Sequence, residues 1–283
     1  MSTKYLTRIT LVATLGGFLF GFDTAVVNGA EKSLVGLYIS KALDPSNYEY
    51  AKMLITQYRW LVAAVFTVIY LVVTGQLLRL LGFRRGLFSG IILLIPLLFF
   101  LSGYLNRPVP LQENTDSIRD ITDSVKGFVV SSALVGCIIG AASSGFIAKA
   151  LGRKTGLIIT ALLFSVSAFG AWQPEALNVF GTLDVYSFII YRILGGIGIG
   201  LASILSPMYI AEISPAQIRG KLVSWNQFAI ISGMLLIYFI NYLIARSGND
   251  EWLINEGWRW MFFSGVIRSE EHTSELQSRQ SIS

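Results

Sequence analysis

Long apolar runs constrain this chain more than anything else in it. They cover about residues 9–30, 58–78, 87–104, 127–148, 156–172, 187–211 and 222–245, and an eighth begins at 258 and stops near 267. A bilayer's hydrocarbon core, about 30 Å thick, takes about 20 apolar residues in helical form. A lipid-exposed backbone must satisfy its own hydrogen bonds, and the runs lack the alternation of a barrel strand. Helices are therefore the one workable reading. Composition agrees: 53% of residues are hydrophobic and 14% charged, where a soluble domain carries about 25% charged. Mean hydropathy is +0.61. The chain reads as an all-α polytopic membrane protein.

The same composition excludes several function classes. A net charge of +5 is modest, and the basic residues are not interleaved with aromatics, so no nucleic-acid partner is expected. Membrane lipid is. Cys137 stands alone in an apolar run, and His272, the one histidine, lies near the C-terminus. No metal site, cofactor or nucleophile with an acid–base partner emerges, which argues against an enzyme. The first run is too long for a typical cleaved signal core.

Loop charge sets the orientation. Compact basic connections hold Arg79, Arg84 and Arg85, then Lys149, Arg153 and Lys154, then Arg219 and Lys221, with Lys4 and Arg8 on the same side by alternation. The alternate loops are longer and hold most acids: Asp44 and Glu49; Glu113, Asp116, Asp120 and Asp123; Asp250, Glu251 and Glu256. The positive-inside rule places the N-terminus in the cytoplasm of a multi-pass protein of the cytoplasmic (inner) membrane.

Four segments follow. Residues 1–43 carry the first helix. Residues 44–125 hold two runs and a polar loop; deleting them leaves every later helix pointing the same way, so they read as an insertion. Residues 126–267 hold the remaining helices, the last incomplete. At 268–283 the apolar helix turns polar without a cap, in RSEEHTSELQSRQSIS. That string reads as a translated sequencing adapter, a non-native tail outside any functional argument.

Small residues recur every four positions: Gly17, Gly21, Ala25 and Gly29; Ser132, Gly136, Gly140 and Ser144; Gly196 and Gly200. Such faces let helices approach closely. Charges inside the runs discriminate better. Asp23 is about 14 residues into the first run, about 21 Å from its cytoplasmic end, hence roughly 10 Å from the outer face. Arg192 is about five residues into a run of opposite direction, about 8 Å from the outer face. The depths match. A charge in hydrocarbon costs at least about 2.5–3.5 kcal/mol, so the two are expected to pair, directly or through water. A purely structural ion pair is one reading; a carboxylate that takes up and releases a proton is the other. Gln227 offers amide donors and an acceptor suited to a neutral hydroxylated ligand, or a bond between helices. Phe20, three residues before Asp23, can stack on a sugar ring or simply pack. At the opposite ends, Glu212 closes one run, Arg219 opens the next and Arg153 follows Leu151. These can form salt bridges specific to one conformation, or be ordinary loop charge.

Together these residues resemble the sugar porter branch of the major facilitator superfamily. The resemblance is carried by GGFLFGFDTAVVNGA (16–30), LGRK (151–154), YRILGGIGIGLASILSPMYIAEISPAQIRGK (191–221) and SWNQFAIISG after it. NYLIARSG (241–248) and GWRWMF (257–262) look closest to bacterial D-xylose–proton symporters. The resemblance covers about residues 6–43 and 126–267. It implies twelve helices in two six-helix halves; against that plan the chain reads as the N-terminal six-helix half, truncated in the sixth family helix, with two extra inserted helices that the family pattern does not explain. Asp23 is then the proton-coupling carboxylate and Arg192 its partner. Gln227 and Phe20 line the sugar site, and Glu212, Arg219 and Arg153 form a cytoplasmic gate. The implied substrate is D-xylose or a related monosaccharide, with protons as coupling ion, moved by alternating access. A proton-independent facilitator and a transporter-like sugar sensor are the alternatives. The chain as written is expected to be inactive, for the C-terminal half that the resemblance supplies is missing. Two departures stand out. The loop motif reads GFIAKALGRK, with Lys149 and Ala150 where the family has an acidic and a basic residue. A partial echo, GQLLRLLGFRR (75–85), also lacks the acid.

Overall fold

The computed structural model describes residues 3–110, 115–176, 178 and 182–265. The string at 268–283 lies outside them. Seven long helices account for most of the described residues: α1 (Thr3–Leu34), α2 (Tyr48–Leu81), α3 (Phe83–Leu105), α4 (Thr115–Ala150), α5 (Arg153–Trp172), α6 (Asp184–Ile213) and α7 (Arg219–Arg246). After α7, a short turn leads through Leu253–Gly257 into a last helix at residues 258–265. Helices α2 to α7 are each long and apolar enough to cross a membrane. At 32 residues, α1 is about 48 Å long, also enough to span. No strand occurs among the described residues.

Most helices run past the apolar runs. Helix α2 has 34 residues and α4 has 36, about 50 Å each against a core of about 30 Å. Their polar first turns, YEYAK and TDSIRD, keep helical hydrogen bonds outside the hydrocarbon, where hydropathy gives no signal.

The chain divides into two compact units. One comprises residues 38–128 and the other residues 1–37 with 129–283. In the first, α2 and α3 form an antiparallel hairpin through a turn at Gly82. Tyr70 donates across it to the Gly90 carbonyl at 3.1 Å. The buried Arg59 donates to the carbonyls of Arg107 and Pro108, and Tyr58 meets Phe128 edge to face.

In the second unit α1 packs mainly on α7 and α6, and α5 on α6. Backbone approach explains the glycines. A Cβ at Gly136 of α4 would collide with the Ile193 carbonyl of α6, and one at Gly196 with the Ala133 carbonyl of α4. Gly21 against Ile230, and Gly233 against Phe18, repeat the arrangement between α1 and α7. Without a hydrophobic drive between helices in lipid, such close packing supplies the association energy.

Candidate functional site

The centre of the second unit holds a buried ion pair. Asp23 lies about two-thirds of the way along α1 and Arg192 two turns into α6. Arg192 Nη1 is 2.6 Å from Asp23 Oδ1, and Nη2 donates to the Asp23 backbone carbonyl at 3.2 Å. The Arg192 side chain is 2% exposed and that of Asp23 15%. The ring of Phe262 lies 5.6 Å from the guanidinium carbon, which adds a cation–π contact.

The pair does not use all its polar atoms. Asp23 Oδ2 and Arg192 Nε are buried without a hydrogen-bond partner, and so is the Ser167 hydroxyl. Gly195 explains how α5 comes near: a Cβ there would collide with Ser167 Oγ and lie 3.8 Å from Asp23 Oδ2. A cavity of about 20 Å³ opens beside the carboxylate, lined by Leu19, Phe22, Val26, Phe164, Ala168 and Phe262 among others. That volume accommodates about one water. Arginine thus holds one side of the carboxylate and leaves the other beside a space of one water's size.

Phe20 and Gln227 sit on different helices in different surroundings. Phe20 is half-buried against a cluster of Leu19, Ala133, Phe164, Ile199 and Ala202. Gln227 is exposed on α7, whereas its neighbour Asn226 is buried. Consecutive helical residues point about 100° apart, so the two adjacent amides meet different surroundings. Asn226 Oδ1 accepts from the Ser206 hydroxyl at 2.8 Å, and Gly17 on α1 leaves the space for it.

At the other end of α6, Glu212 Oε1 is 2.8 Å from Arg153 Nη2 and 2.9 Å from its Nε. Arg153 opens α5, so this pair ties the α5 start to the α6 end. Arg219 instead donates to the Ser214 carbonyl at 3.5 Å, within the α6–α7 connection. Of the three gate residues, the structure brings two together.

Two features escaped the sequence reading. Arg259 takes both oxygens of Glu175, at 2.6 and 2.8 Å, donates to the Trp172 carbonyl at 3.3 Å and lies over Trp258 at 4.8 Å. This clamp fastens the C-terminal end of α5 to the last helix. The charge in GWRWMF was its only signal. Ser167 is the other: a serine in an apolar helix looks like any small residue. Among the described residues no group of three or more His, Cys, Asp or Glu side chains converges as a metal site would need.

A family profile described as "Sugar (and other) transporter" matches residues 9–269. The chain is similar to the D-xylose-proton symporter of Escherichia coli (strain K12), 39% identical over 276 residues. That alignment covers 94% of this chain and 41% of the relative. It is also similar to the glucose facilitated diffusion protein of Zymomonas mobilis, 41% identical over 137 residues, covering 48% of this chain and 29% of the relative. Among solved structures, the major facilitator superfamily proton:xylose symporter XylE with 6-bromo-6-deoxy-D-glucose superposes with a TM-score of 0.67. Its sequence identity is 37%, with 98% of this chain and 45% of that one covered. The chain thus spans less than half the length of these proteins.

Proposed function

The chain belongs to the sugar (and other) transporter family, and from that premise we propose that the protein carrying this sequence is a sugar–proton symporter. Its substrate is D-xylose or a related monosaccharide, moved by alternating access across the cytoplasmic membrane, with the N-terminus on the cytoplasmic side. The observation that carries the reading is the Asp23–Arg192 pair: one carboxylate oxygen held by arginine, the other unpartnered beside a one-water cavity. Protons are the coupling ion. Asp23 takes one up when Arg192 withdraws and loses it when the pair closes, because a buried carboxylate without a counter-charge is costly. Phe20 and Gln227 contribute to the sugar site, by ring stacking and by amide hydrogen bonds to hydroxyls. The Arg153–Glu212 bridge, with Arg219 beside it, acts as the cytoplasmic gate. Residues 44–125 are an insertion into this plan, a reading supported by the compactness of residues 38–128.

Membrane vesicles containing the protein test this. Asp23→Asn is expected to keep exchange of labelled for unlabelled xylose and to lose uphill accumulation driven by a proton gradient. Accumulation by the Asn variant sinks the coupling role. A proton-independent facilitator is the second reading, favoured by similarity to the Zymomonas protein. It requires that collapsing the pH gradient leave wild-type xylose uptake unchanged.

A further inference from the structure

The α2–α3 hairpin repeats the cytoplasmic end of the α4–α5 hairpin 70 residues earlier. Gly75, Leu81, Gly82, Gly86 and Leu87 match Gly145, Leu151, Gly152, Gly156 and Leu157, and Arg79 and Arg84 match Lys149 and Lys154. The backbone repeats too. Gly82 has φ 78° and ψ 164°, and Gly152 φ 82° and ψ 163°. Each is left-handed, which glycine alone adopts freely. Each carbonyl then accepts from the glycine four residues on, at 2.9 and 3.1 Å.

The two turns differ in what answers their charge. At the α4–α5 turn Arg153 is neutralised by Glu212 of α6. Its counterpart in α3 is Phe83, which is 74% exposed, and Leu80 just before is 79% exposed. At the α2–α3 turn Arg84 and Arg85 occupy the first turn of α3. Between Glu49 and Glu113 the sequence contains no acidic residue. Arg84 and Arg85 are exposed and form no ion pair with any described residue. They also stand at the wrong end of their helix. A helix N-terminus carries free N–H groups and positive dipole charge, so it favours anions. Here it has no acid in its first turn, and Gly82 supplies no side-chain cap.

We propose that the α2–α3 turn binds the phosphodiester headgroup of an anionic phospholipid. Arg84 and Arg85 meet the phosphate, and the free N–H groups of α3 face the same anion. Leu80 and Phe83 enter the acyl region beside them. The apolar residues decide the source of the phosphate. A soluble anion gains nothing from an exposed Phe83 and Leu80, whereas a lipid covers both. The hairpin's helices are membrane-spanning in length and composition, so their turn emerges at headgroup level, where basic residues draw anionic lipid.

Native mass spectrometry of the protein in dodecyl maltoside tests the site, with dioleoyl phosphatidylglycerol and dioleoyl phosphatidylcholine as probes. Wild type is expected to retain phosphatidylglycerol in preference to phosphatidylcholine. Arg84→Gln with Arg85→Gln is expected to weaken that retention roughly 30-fold, about fivefold per arginine. Arg84→Lys with Arg85→Lys should keep most of it. Lys154→Gln, at the related turn, should leave it unchanged. Equal retention of both lipids overturns the proposal, as does undiminished retention by the Gln pair or an equal loss with Lys154→Gln. Displacement by millimolar inorganic phosphate also overturns it, for the site would then hold phosphate rather than lipid. If circular dichroism shows the Gln pair unfolded, Arg85→Gln alone is read at the fivefold level.

Discussion

The buried ion pair makes an asymmetric prediction. Arg192 makes two bonds to Asp23, one to the carboxylate at 2.6 Å and one to the backbone carbonyl at 3.2 Å. Asp23→Asn removes the negative charge but leaves the carbonyl bond, so the guanidinium keeps part of its support. Arg192→Gln removes both bonds and leaves a carboxylate with no counter-charge. Breaking a buried pair from one side costs about 3–5 kcal/mol, with Asp23→Asn expected at the low end and Arg192→Gln at the high end. The double variant leaves no orphaned charge and should cost no more than the costlier single, about 5 kcal/mol, a coupling of at least about 3 kcal/mol. Sodium dodecyl sulfate titration in dodecyl maltoside, followed by circular dichroism, measures all four species. Costs that add to within about 0.5 kcal/mol would refute the interaction.

Three further outcomes follow from the packing and the outer charges. On α4, Gly136→Ala meets the Ile193 carbonyl, whereas Gly145→Ala meets nothing within 4 Å; the first should cost about 1–3 kcal/mol in the same titration and the second almost nothing. The Arg153–Glu212 pair is 39% and 44% exposed, so Glu212→Gln should lower stability by no more than about 1 kcal/mol. If it has a gating role, that role must appear in how readily a cytoplasmic cysteine probe reacts. Asp44 accepts from the Ser46 amide at 2.9 Å, which holds its carboxyl below the usual aspartate value. A lowered folded pKa means the cap is intact above the unfolded value and is lost as pH falls through the folded one. Hydrogen exchange at the Ser46 and Asn47 amides should therefore rise in acid relative to Asp44→Asn measured alongside, and equal acid dependence in the two would count against the cap.

Charges inside apolar runs were legible because lipid makes them expensive, and run parity placed Asp23 and Arg192 at one depth before any contact was known. The glycine faces were legible for a similar reason: four-residue spacing marks a helix side, and the contacts of Gly21, Gly136 and Gly196 lie on those sides. What hydropathy could not resolve was a choice between equals. Asn226 and Gln227 are adjacent amides, and only the rotation of α7 against α1 decides that Asn226 is the buried one. Ser167 is indistinguishable in sequence from Ser165, yet a neighbouring Gly195 puts its hydroxyl near the carboxylate. The Glu175–Arg259 clamp joins residues 84 apart, and no local pattern carries a distance of that kind. Helix ends were missed where polar turns continue α2 and α4 beyond the hydrocarbon.

Helix α6 is the element on which these observations converge. Arg192 and Glu212 are 20 residues apart on it, about 30 Å, one hydrocarbon thickness. Between them Gly196 and Gly200 touch α4 at the Ala133 and Cys137 carbonyls, and Gly195 touches α5 at Ser167. At Gly196 and Gly200 backbone meets backbone, which leaves few rotamers through which strain can dissipate. A displacement of α6 at the Asp23 end must therefore either reach the Glu212 end or break contacts that lipid does not replace. Under the proposed symport, this is how a proton on Asp23 would be felt at Arg153. It is mechanical continuity of one packed helix, with both charges sitting on α6 and both partners on its neighbours α1 and α5.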